Sequence, residues 1–415
     1  MNPQQMTPEL RFPEFSGEWQ MKKLGDVASK VGSGSTPRGG SKVYKQAGIP
    51  FVRSQNVNGG KLDLSDIVYI DRQTHDFMAN SSIKPLDVLL NITGASLGRT
   101  CVVPASFDEG NLSQHVCIIR LEKTNPYIVH TILSKTESTN ELLKAQTGGG
   151  KEGLNFQAVR AFKLNLPQKP EQEKIAEFLT AVDARIAAGE QKLASLAQYK
   201  KAVMQQIFSQ QIRFKDESGN PYPEWEENRL GDIGNTYNGL TGKSGVDFGE
   251  GSPFITYTQI FSNTKISKNY GYVRISPSEK QNTAQYGDIF FTTSSETPEE
   301  TGYTSVLLDE VDNLYLNSFC FGYRAKKSEL LPEFARYIFH SMSVRQAIVR
   351  LAQGSTRYNI SKSEVMKLSI RLPSIEEQQK ITTFLTALDA RITTETTRLA
   401  SAKAWKKGLL QRMFV

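Results

Sequence analysis

A few strings in this chain resemble parts of phosphate-binding sites, and each lacks a residue that the chemistry needs. Thr241-Gly242-Lys243-Ser244 ends like a phosphate-binding loop, but Tyr237 occupies the position five before Gly242 where that loop needs glycine. The stretch Gly32–Gly34, with Gly39 and Gly40 after it, lacks the G-x-G-x-x-G spacing of a dinucleotide site. Because both loops lack a required glycine or the required glycine spacing, we expect no nucleotide site at either position.

Other residues that could carry chemistry are also poorly placed. Asn220-Pro221-Tyr222-Pro223 has the residues of an Asn-Pro-Pro-Tyr motif in the wrong order, so we interpret it as a turn. The 3 cysteines and 4 histidines are too few and too scattered for a disulfide framework or a zinc site. No nucleophile and base pair stands out, and the acids of the helical segments are spaced like a solvated face. We therefore predict no catalytic residue, no metal and no cofactor on this chain.

Length and composition indicate a packed protein of more than one domain. The chain has 415 residues, of which 38% are hydrophobic and 22% charged, enough for two or three ordinary domains. No segment has the roughly 20 apolar residues of a membrane span, and residues 1–17 are polar, so we expect a cytoplasmic protein. The net charge of +7 weakly favours a polyanionic partner.

The chain is internally duplicated. Residues 171–186 and 377–392 share 12 identities in 16 positions, at an offset of 206. The same offset relates Trp19 to Trp225 and Leu24-Gly25-Asp26 to Leu230-Gly231-Asp232. Each half therefore repeats the same order of segments, while the residues between the matched segments differ. Either the two modules read different things, or they have simply drifted apart.

Each copy ends in a long helix with a heptad seam. Apolar residues recur at alternating steps of four and three, which predicts two helices of about 39 residues and about 58 Å that pair antiparallel about a pseudo-twofold axis. Pro170 in a first turn and the capping box of Ser374 and Glu377 mark their starts. The residues predicted to pair the helices are Ile175, Leu179, Val182, Ile186, Leu193, Leu196, Ile381, Leu385, Leu388, Ile392 and Leu399.

The remaining segments are predicted to be small mixed α/β domains, because short β-rich runs alternate with glycine and proline turns and short helices. The predicted fold is α/β (mixed α+β), with two similar domains and two long antiparallel coiled-coil helices. The boundaries are 1–165 and 213–371 for the domains, and 166–212 and 372–415 for the helices.

This arrangement resembles the specificity subunit of type I restriction-modification systems over the whole chain. The resemblance rests on Leu-Pro followed by Glu-Gln before each helix, on the FLTAxDARI strings and on DVLLNITGASLG at 87–98. It implies that each domain recognises one half of an asymmetric bipartite site in double-stranded DNA, and that the helices set the spacing. It also implies two modification (methyltransferase) subunits that bring S-adenosylmethionine, and restriction subunits in the full complex.

Base reading needs polar side chains on loops, and basic groups that neutralise phosphates. Loops after matched strands supply candidates in both halves, and Arg53 is the strongest because arginine can bond guanine in bidentate fashion. Its aligned partner is Thr256, which indicates a different half-site. The predicted DNA-binding residues are Arg53, Ser54, Gln55, Asn56, Thr93, Ser96, Arg99, Lys151, Thr256, Tyr257, Thr258, Gln259, Ser294, Ser295, Thr356, Arg357 and Tyr358.

Two other classes of function stay open at this point. One is a DNA methyltransferase or nuclease with its own active site in a recognition half. The other is a structural coiled-coil adaptor that does not bind DNA.

Overall fold

The computed structural model describes residues 7–145 and 153–414. The chain divides into two compact units, Met1–Gly189 with Arg398–Val415, and Glu190–Thr397. Each unit thus contains one globular half together with parts of both long helices.

The first unit contains short strands, short helices and the first part of one long helix. Its strands are β1 Gln20–Lys23, β2 Ala28–Ser33, β3 Ile49–Val52, β4 Val57–Asn58, β5 Lys61–Leu62, β6 Val68–Ile70, β7 Ser82–Ile83, β8 Val88–Asn91, β9 Thr100–Val102, β10 Gly110–Leu112, β11 Val116–Leu121 and β12 Lys163–Leu166. Its helices are α1 Leu24–Val27, α2 Arg72–Phe77, α3 Pro126–Leu133, α4 Thr136–Lys144, α5 Phe156–Ala161 and the long α6 Lys169–Phe208, which continues into the second unit.

Two sheets form the centre of this unit. One has the order β2-β11-β8-β9 and the other β6-β3-β10-β7, with β3 and β10 parallel. Their strands are rich in Val, Ile and Leu, and β8 and most of β11 are buried, as expected of strands covered on both faces. Helices α3 and α5 and the start of α6 share a hydrophobic core with β8 and β11.

The second unit has corresponding elements. Its strands are β13 Glu226–Arg229, β14 Gly234–Asn238, β15 Phe248–Ile255, β16 Gly271–Val273, β17 Ile289–Thr292, β18 Ser294–Ser295, β19 Thr304–Val306, β20 Tyr315–Leu316, β21 Cys320–Ala325, β22 Tyr358–Asn359 and β23 Ser369–Leu372. Its helices are α7 Leu230–Ile233, α8 Tyr257–Ser262, α9 Pro332–Ile338, α10 Met342–Val349, α11 Lys362–Val365 and the long α12 Ile375–Met413.

The sheet topology repeats. The sheet β14-β21-β17-β19 matches β2-β11-β8-β9, and β16-β15-β20 matches β6-β3-β10, including the parallel pair β15 and β20. Gly34 and Gly239 follow the first strand of the matched sheets, and a Cβ on either would overlap a backbone carbonyl, of Leu112 and Asn317 respectively. The duplication seen in the sequence therefore extends to the topology, and the predicted mixed α/β fold is confirmed.

The long helices run antiparallel within each unit. In the second unit, Lys200 of α6 pairs with Asp389 of α12, and Lys192 pairs with Glu395. In the first unit, Lys406 pairs with Asp183, and the Leu399 side chain lies against Gly189. In both units the residue number on one helix rises as that on the other falls, which defines antiparallel pairing.

The predicted seam is buried at its ends and half-buried along its middle. Ile175 and Leu179 are buried in the core of the first unit, and Ile381 and Leu385 in the core of the second. Leu388 is buried, whereas the other predicted pairing residues are half-buried: Val182, Ile186, Leu193, Leu196, Ile392 and Leu399. Two helices alone leave one side of a seam open to solvent, which explains the gradient.

The start of each long helix departs from the prediction in one respect. Ser374 caps α12 by accepting from the Glu377 backbone N–H at 3.4 Å, but the Glu377 carboxylate does not complete a capping box. It is buried and accepts from Arg213 at 3.0 Å and from the Trp225 indole at 3.1 Å. Glu171 is likewise buried and binds Arg11, so these two acids are not part of a solvated helix face.

The glutamine that follows each of these acids ties the helix to its domain. Gln172 donates to the Pro167 carbonyl at 2.9 Å and accepts from the Asn125 backbone N–H at 2.9 Å. In the second unit, Gln378 likewise donates to the Pro373 carbonyl at 3.0 Å and accepts from the Leu331 backbone N–H at 2.9 Å. The repeated Leu-Pro and Glu-Gln pairs therefore have a structural role, since they hold the start of each long helix against its domain.

Candidate nucleic-acid interface

In the first unit, the candidate surface begins at the turn after β3. The Arg53 backbone N–H donates to the Asn56 side chain at 2.9 Å, and the Asn56 amide donates to the Asp63 carbonyl at 3.0 Å. Asn56 is buried, so its amide supports the turn from inside and is not available to a duplex. Gln55 is exposed and Ser54 half-buried, so the turn presents them outward.

Arg53 is held at the edge of this turn. Its Nη2 donates to the Asp66 carbonyl at 2.8 Å and lies 3.6 Å from the Asp66 carboxylate. Its guanidinium also lies 6.0 Å from the centre of the Tyr44 ring, within cation–π range. The Arg53 side chain is 24% exposed and that of Asp66 is 77% exposed, so a base or phosphate could replace this solvent-facing carboxylate.

The turn after β8 lies beside the turn after β3. The Asn91 side chain donates to the Ser54 carbonyl at 2.8 Å, which joins the two turns directly. Arg99 lies 3.4 Å from the side-chain oxygen of Asn58 and is exposed. The structure thus brings the turn that carries Arg53, Ser54 and Gln55 next to Arg99, as one polar and basic surface. Ser96 is half-buried and lies in the turn between Asn91 and Arg99.

Thr93 contacts His115, which with Gln114 adds two polar residues that were not among the predicted DNA-binding residues. Its hydroxyl is 2.8 Å from His115 Nδ1, and the Gln114 amide is 3.1 Å from His115 Nε2. Gln114 and His115 are exposed, and they lie in the short connection between β10 and β11. The signal was the tight loop between two apolar strands. Lys151 lies outside the described residues, but Thr93 forms an isolated bridge with Gly153.

In the second unit, the turn after β15 becomes a short helix. Thr256 caps α8 by accepting from the Gln259 backbone N–H at 3.3 Å. The Tyr257 hydroxyl donates to the Ser294 carbonyl at 2.6 Å, which links this turn to the strand that follows β17. Thr258 is exposed, whereas Gln259 is buried with its amide bonded to the Asn269 carbonyl. Gln259 therefore supports the fold and is not available to DNA.

A third loop completes this surface. Strand β18 pairs with β22, so that Ser295 lies opposite Tyr358 and Ser294 opposite Asn359. This pairing brings the exposed Thr356 and Arg357 beside the first two loops. A cavity of about 390 Å³ opens among them, lined by Tyr257, Phe261, Ser294, Ser295, Glu296, Glu300, Phe319 and Arg357.

Ion pairs between a buried aspartate and a more exposed arginine fix the strands that carry these loops. Arg120 bonds both carboxylate oxygens of the buried Asp87, at 2.8 and 2.7 Å, just before β8. Arg324 bonds Asp288 at 2.7 Å in the same way just before β17. Burial and the negative charge of Asp288 raise the pKa of Tyr237, whose hydroxyl donates to that carboxylate at 2.6 Å. Such paired charges hold the loops that follow in one geometry.

The residues that could carry other chemistry have structural partners. Lys243, in the string that resembles a phosphate-binding loop, donates to Glu279 at 2.7 Å, and this ion pair contributes to lowering the pKa of Glu279 to about 2. The cysteines are buried, and burial raises the pKa of the Cys101 and Cys117 thiols to about 12. Within residues 7–145 and 153–414, no group of three metal-binding side chains was found. None of the helices in those ranges combines the length and apolarity needed to cross a membrane.

Comparison with known proteins identifies the family. The model of the type I restriction modification DNA specificity domain matches twice, at residues 16–198 and 222–404. A putative MjaX specificity subunit of a type I restriction enzyme from Methanocaldococcus jannaschii is 21% identical, covering 91% of this chain and 88% of that protein. The EcoKI specificity subunit from Escherichia coli K12 is 22% identical, covering 80% of this chain and 74% of that protein.

Solved structures show the same fold. The S subunit of a type I restriction-modification system from M. genitalium superposes with a TM-score of 0.59, at 13% identity, over 99% of each chain. The two family matches span most of the chain and fall one on each globular half with its helix. The chain therefore belongs to the type I restriction-modification DNA specificity family, as a DNA-recognition subunit that is not itself catalytic.

Proposed function

We propose that the loop surface of each unit reads one half of an asymmetric bipartite site in double-stranded DNA. The observation that carries the proposal is the repeated joining of two loops by one hydrogen bond. Asn91 holds the Ser54 carbonyl in one unit, and Tyr257 holds the Ser294 carbonyl in the other. In both units this bond fixes a polar surface whose side chains stay accessible, and preorganised loops of this kind suit base reading.

The two surfaces offer different chemistry to a duplex. The first unit presents hydrogen-bond donors, above all Arg53, Gln55 and Arg99, which suit guanine and adenine edges and phosphates. The second presents Thr258, Thr356 and Arg357 next to aromatic and acidic side chains. Because the two units share a fold but differ in their loop residues, they suit an asymmetric site in which each half has its own sequence.

We further propose that two modification subunits bind this chain and supply catalysis. The modification subunits would bring S-adenosylmethionine, and restriction subunits would join the full complex. Tyr199 and Trp405 are 206 positions apart and 52% and 54% exposed, so the same aromatic anchor recurs on each long helix. Exposed aromatic side chains are common anchors of protein interfaces, and one on each helix would give each of two identical partners its own contact. Since these steps act on chromosomal DNA, we place the complex in the cytoplasm.

The long helices supply the spacing between the half-sites in this proposal. Helix α6 has 40 residues and α12 has 39, so each is about 60 Å long. That length exceeds the 34 to 36 Å of one turn of DNA, which is the natural distance between two modules on one face of a duplex.

The test is reconstitution with labelled S-adenosylmethionine. The purified chain alone should transfer no methyl group to DNA, and transfer to adenine should appear when the modification subunit is added. The product should carry a bipartite motif. Transfer by the chain alone would instead favour an enzyme with its own active site, and a complex whose DNA binding does not depend on this chain would favour a structural adaptor.

A further inference from the structure

We infer that Phe319 and Glu296 read bases in the half-site of the second unit, Phe319 through a thymine methyl group and Glu296 through an exocyclic amine of cytosine or adenine. This inference rests on the proposed function, because it takes the loop surface of the second unit to face DNA. Both side chains line the cavity formed by the predicted loops, and neither was anticipated from the sequence.

Phe319 is an exposed aromatic ring on a rigidly held backbone. Its carbonyl accepts from the Thr293 backbone N–H at 3.1 Å and from the Thr293 hydroxyl at 2.8 Å. Its own N–H donates to the Asn317 side chain at 2.8 Å. Phe319 is nevertheless 64% exposed. Because these hydrogen bonds hold the turn, its large apolar ring stays in contact with solvent. Such a surface is suited to contact with an apolar group.

The place of Phe319 in the fold is that of His115 in the first unit. The His115 carbonyl accepts from the Ile92 N–H at 3.1 Å, as the Phe319 carbonyl does from Thr293. Each residue directly precedes a matched strand: His115 precedes β11, which pairs with β8, and Phe319 precedes β21, which pairs with β17. One position on a shared scaffold thus carries a polar ring in one unit and an apolar ring in the other. The only apolar group on the base edges of the major groove is the thymine methyl, which fits the apolar ring.

Glu296 supplies the second half of the inference. Its neighbour Glu300 accepts from Ser295 at 3.1 Å, whereas Glu296 is exposed and has no ion-pair partner among the residues that the structure describes. A free carboxylate close to phosphates is repelled, which disfavours binding unless it accepts a hydrogen bond in return. In the major groove, the amines of cytosine and adenine are the donors that can supply that bond.

The first experiment removes one methyl group from the DNA. The complex with modification subunits binds duplexes in which each thymine of the wild-type motif is replaced in turn by uracil, which lacks only the methyl. Wild type should lose roughly four-fold in affinity at one position of one half-site, the effect of one buried methyl group. Phe319→Ala should bind both duplexes equally at that position, and Phe319→Leu should restore part of the preference.

The second experiment replaces one carboxylate, with a matched control. Glu296→Gln should admit additional bases at one position of the same half-site when methylated adenines are mapped. Glu299→Gln removes the same charge from an exposed residue that does not line the cavity, and should leave the motif unchanged.

Four results would overturn the inference: no thymine in the affected half-site, uracil sensitivity that Phe319→Ala leaves intact, weaker subunit assembly without altered base preference, or an unchanged motif in Glu296→Gln. A wild-type complex with no sequence preference would instead overturn the proposed function itself, so the two failures can be told apart. Thermal unfolding of each variant verifies that it is folded.

Discussion

Arg11 donates two hydrogen bonds of 2.7 Å to the Glu171 carboxylate, one from Nε and one from Nη2. The two residues are 160 positions apart in sequence. The Glu171 side chain is 1% exposed and that of Arg11 is 14% exposed, so the pair lies beneath the surface. The same pair recurs as Arg213 and Glu377, with bonds of 3.0 Å. In each unit it ties the segment that enters the globular domain to the first turn of the long helix that leaves it.

Replacing Arg11 by alanine should destabilise the first unit. The change leaves the Glu171 carboxylate buried without its counter-charge, which typically costs about 3 to 5 kcal/mol. Chemical denaturation of the chain measures this loss of unfolding free energy. Arg72→Ala is the control, because its partner Glu109 is 32% exposed and Arg72 itself 59% exposed, so that pair should contribute about 1 kcal/mol or less.

Equal stability losses for Arg11→Ala and Arg72→Ala would contradict this account of the pair. The matching change Arg213→Ala should act on the second unit in the same way, with the Trp225 indole still donating to Glu377.

The sequence predicted the architecture because the architecture is repeated and periodic. The heptad seam and the 206-residue offset both report the average behaviour of many residues, and both were correct for the fold. The errors concern single residues. Glu171 and Glu377 have the spacing of a solvated helix face, but both are buried and paired with an arginine that is distant in sequence. A local sequence pattern cannot predict such a long-range pair.

The candidate site was predicted only in part for the same reason. The loops after β3, β8, β15 and β17 could be selected as candidates from the sequence because they are polar turns that follow apolar strands. Asn56 and Gln259 look like base readers in the sequence, yet their side chains turn inward to satisfy loop carbonyls. Glu296 and Phe319 were missed because only the pairing of β18 with β22 and the pinned turn before β21 give them a common cavity.

Arg53→Ala should weaken DNA binding by the assembled complex and relax one base position. Loss of a bidentate base contact costs about 1 to 3 kcal/mol and reduces discrimination at that position alone. Binding titrations and mapping of methylated adenines measure the two effects. Asp66→Asn is a useful companion, because it weakens the ion pair that holds Arg53 and leaves the arginine in place. An unchanged motif together with unchanged affinity in Arg53→Ala would exclude Arg53 as a base reader.

Tyr199→Ala and Trp405→Ala should each weaken the binding of one modification subunit. Loss of a large aromatic anchor from an interface commonly costs about 2 kcal/mol or more. Both side chains are more than half exposed in this chain, and Trp405 also packs edge-to-face on Phe178, so thermal unfolding of each free variant separates lost stability from lost binding. Analytical ultracentrifugation of the chain with modification subunits would show complexes with one partner for each single variant. Full complexes with two partners in both variants would place the interface elsewhere.

Stability of the second unit should fall as pH decreases from about 6.5 to about 4. Burial lowers the pKa of His340 from 6.5 to about 4, and the ring faces Thr304 together with the cations Arg345, Lys200 and Arg336. Between these pH values the unfolded chain binds a proton that the folded chain does not, so acid favours unfolding, by up to roughly 3 kcal/mol. Above pH 6.5 the group makes no contribution to the pH dependence.

The measurement for this prediction is chemical denaturation of wild type and His340→Gln across that pH range. The variant should show a shallower decrease, because glutamine does not titrate. Identical slopes for the two proteins would show that His340 titrates alike in the folded and unfolded chains.

The most direct test of DNA recognition by this chain is a map of methylated adenines in three strains of one host. One strain lacks the gene, one carries wild type, and one carries a chain with Glu296, Phe319 and Arg357 replaced. We expect no motif in the first strain, a bipartite motif in the second, and in the third a motif with one half intact and the other relaxed. The same motif in all three strains would contradict DNA recognition by this chain.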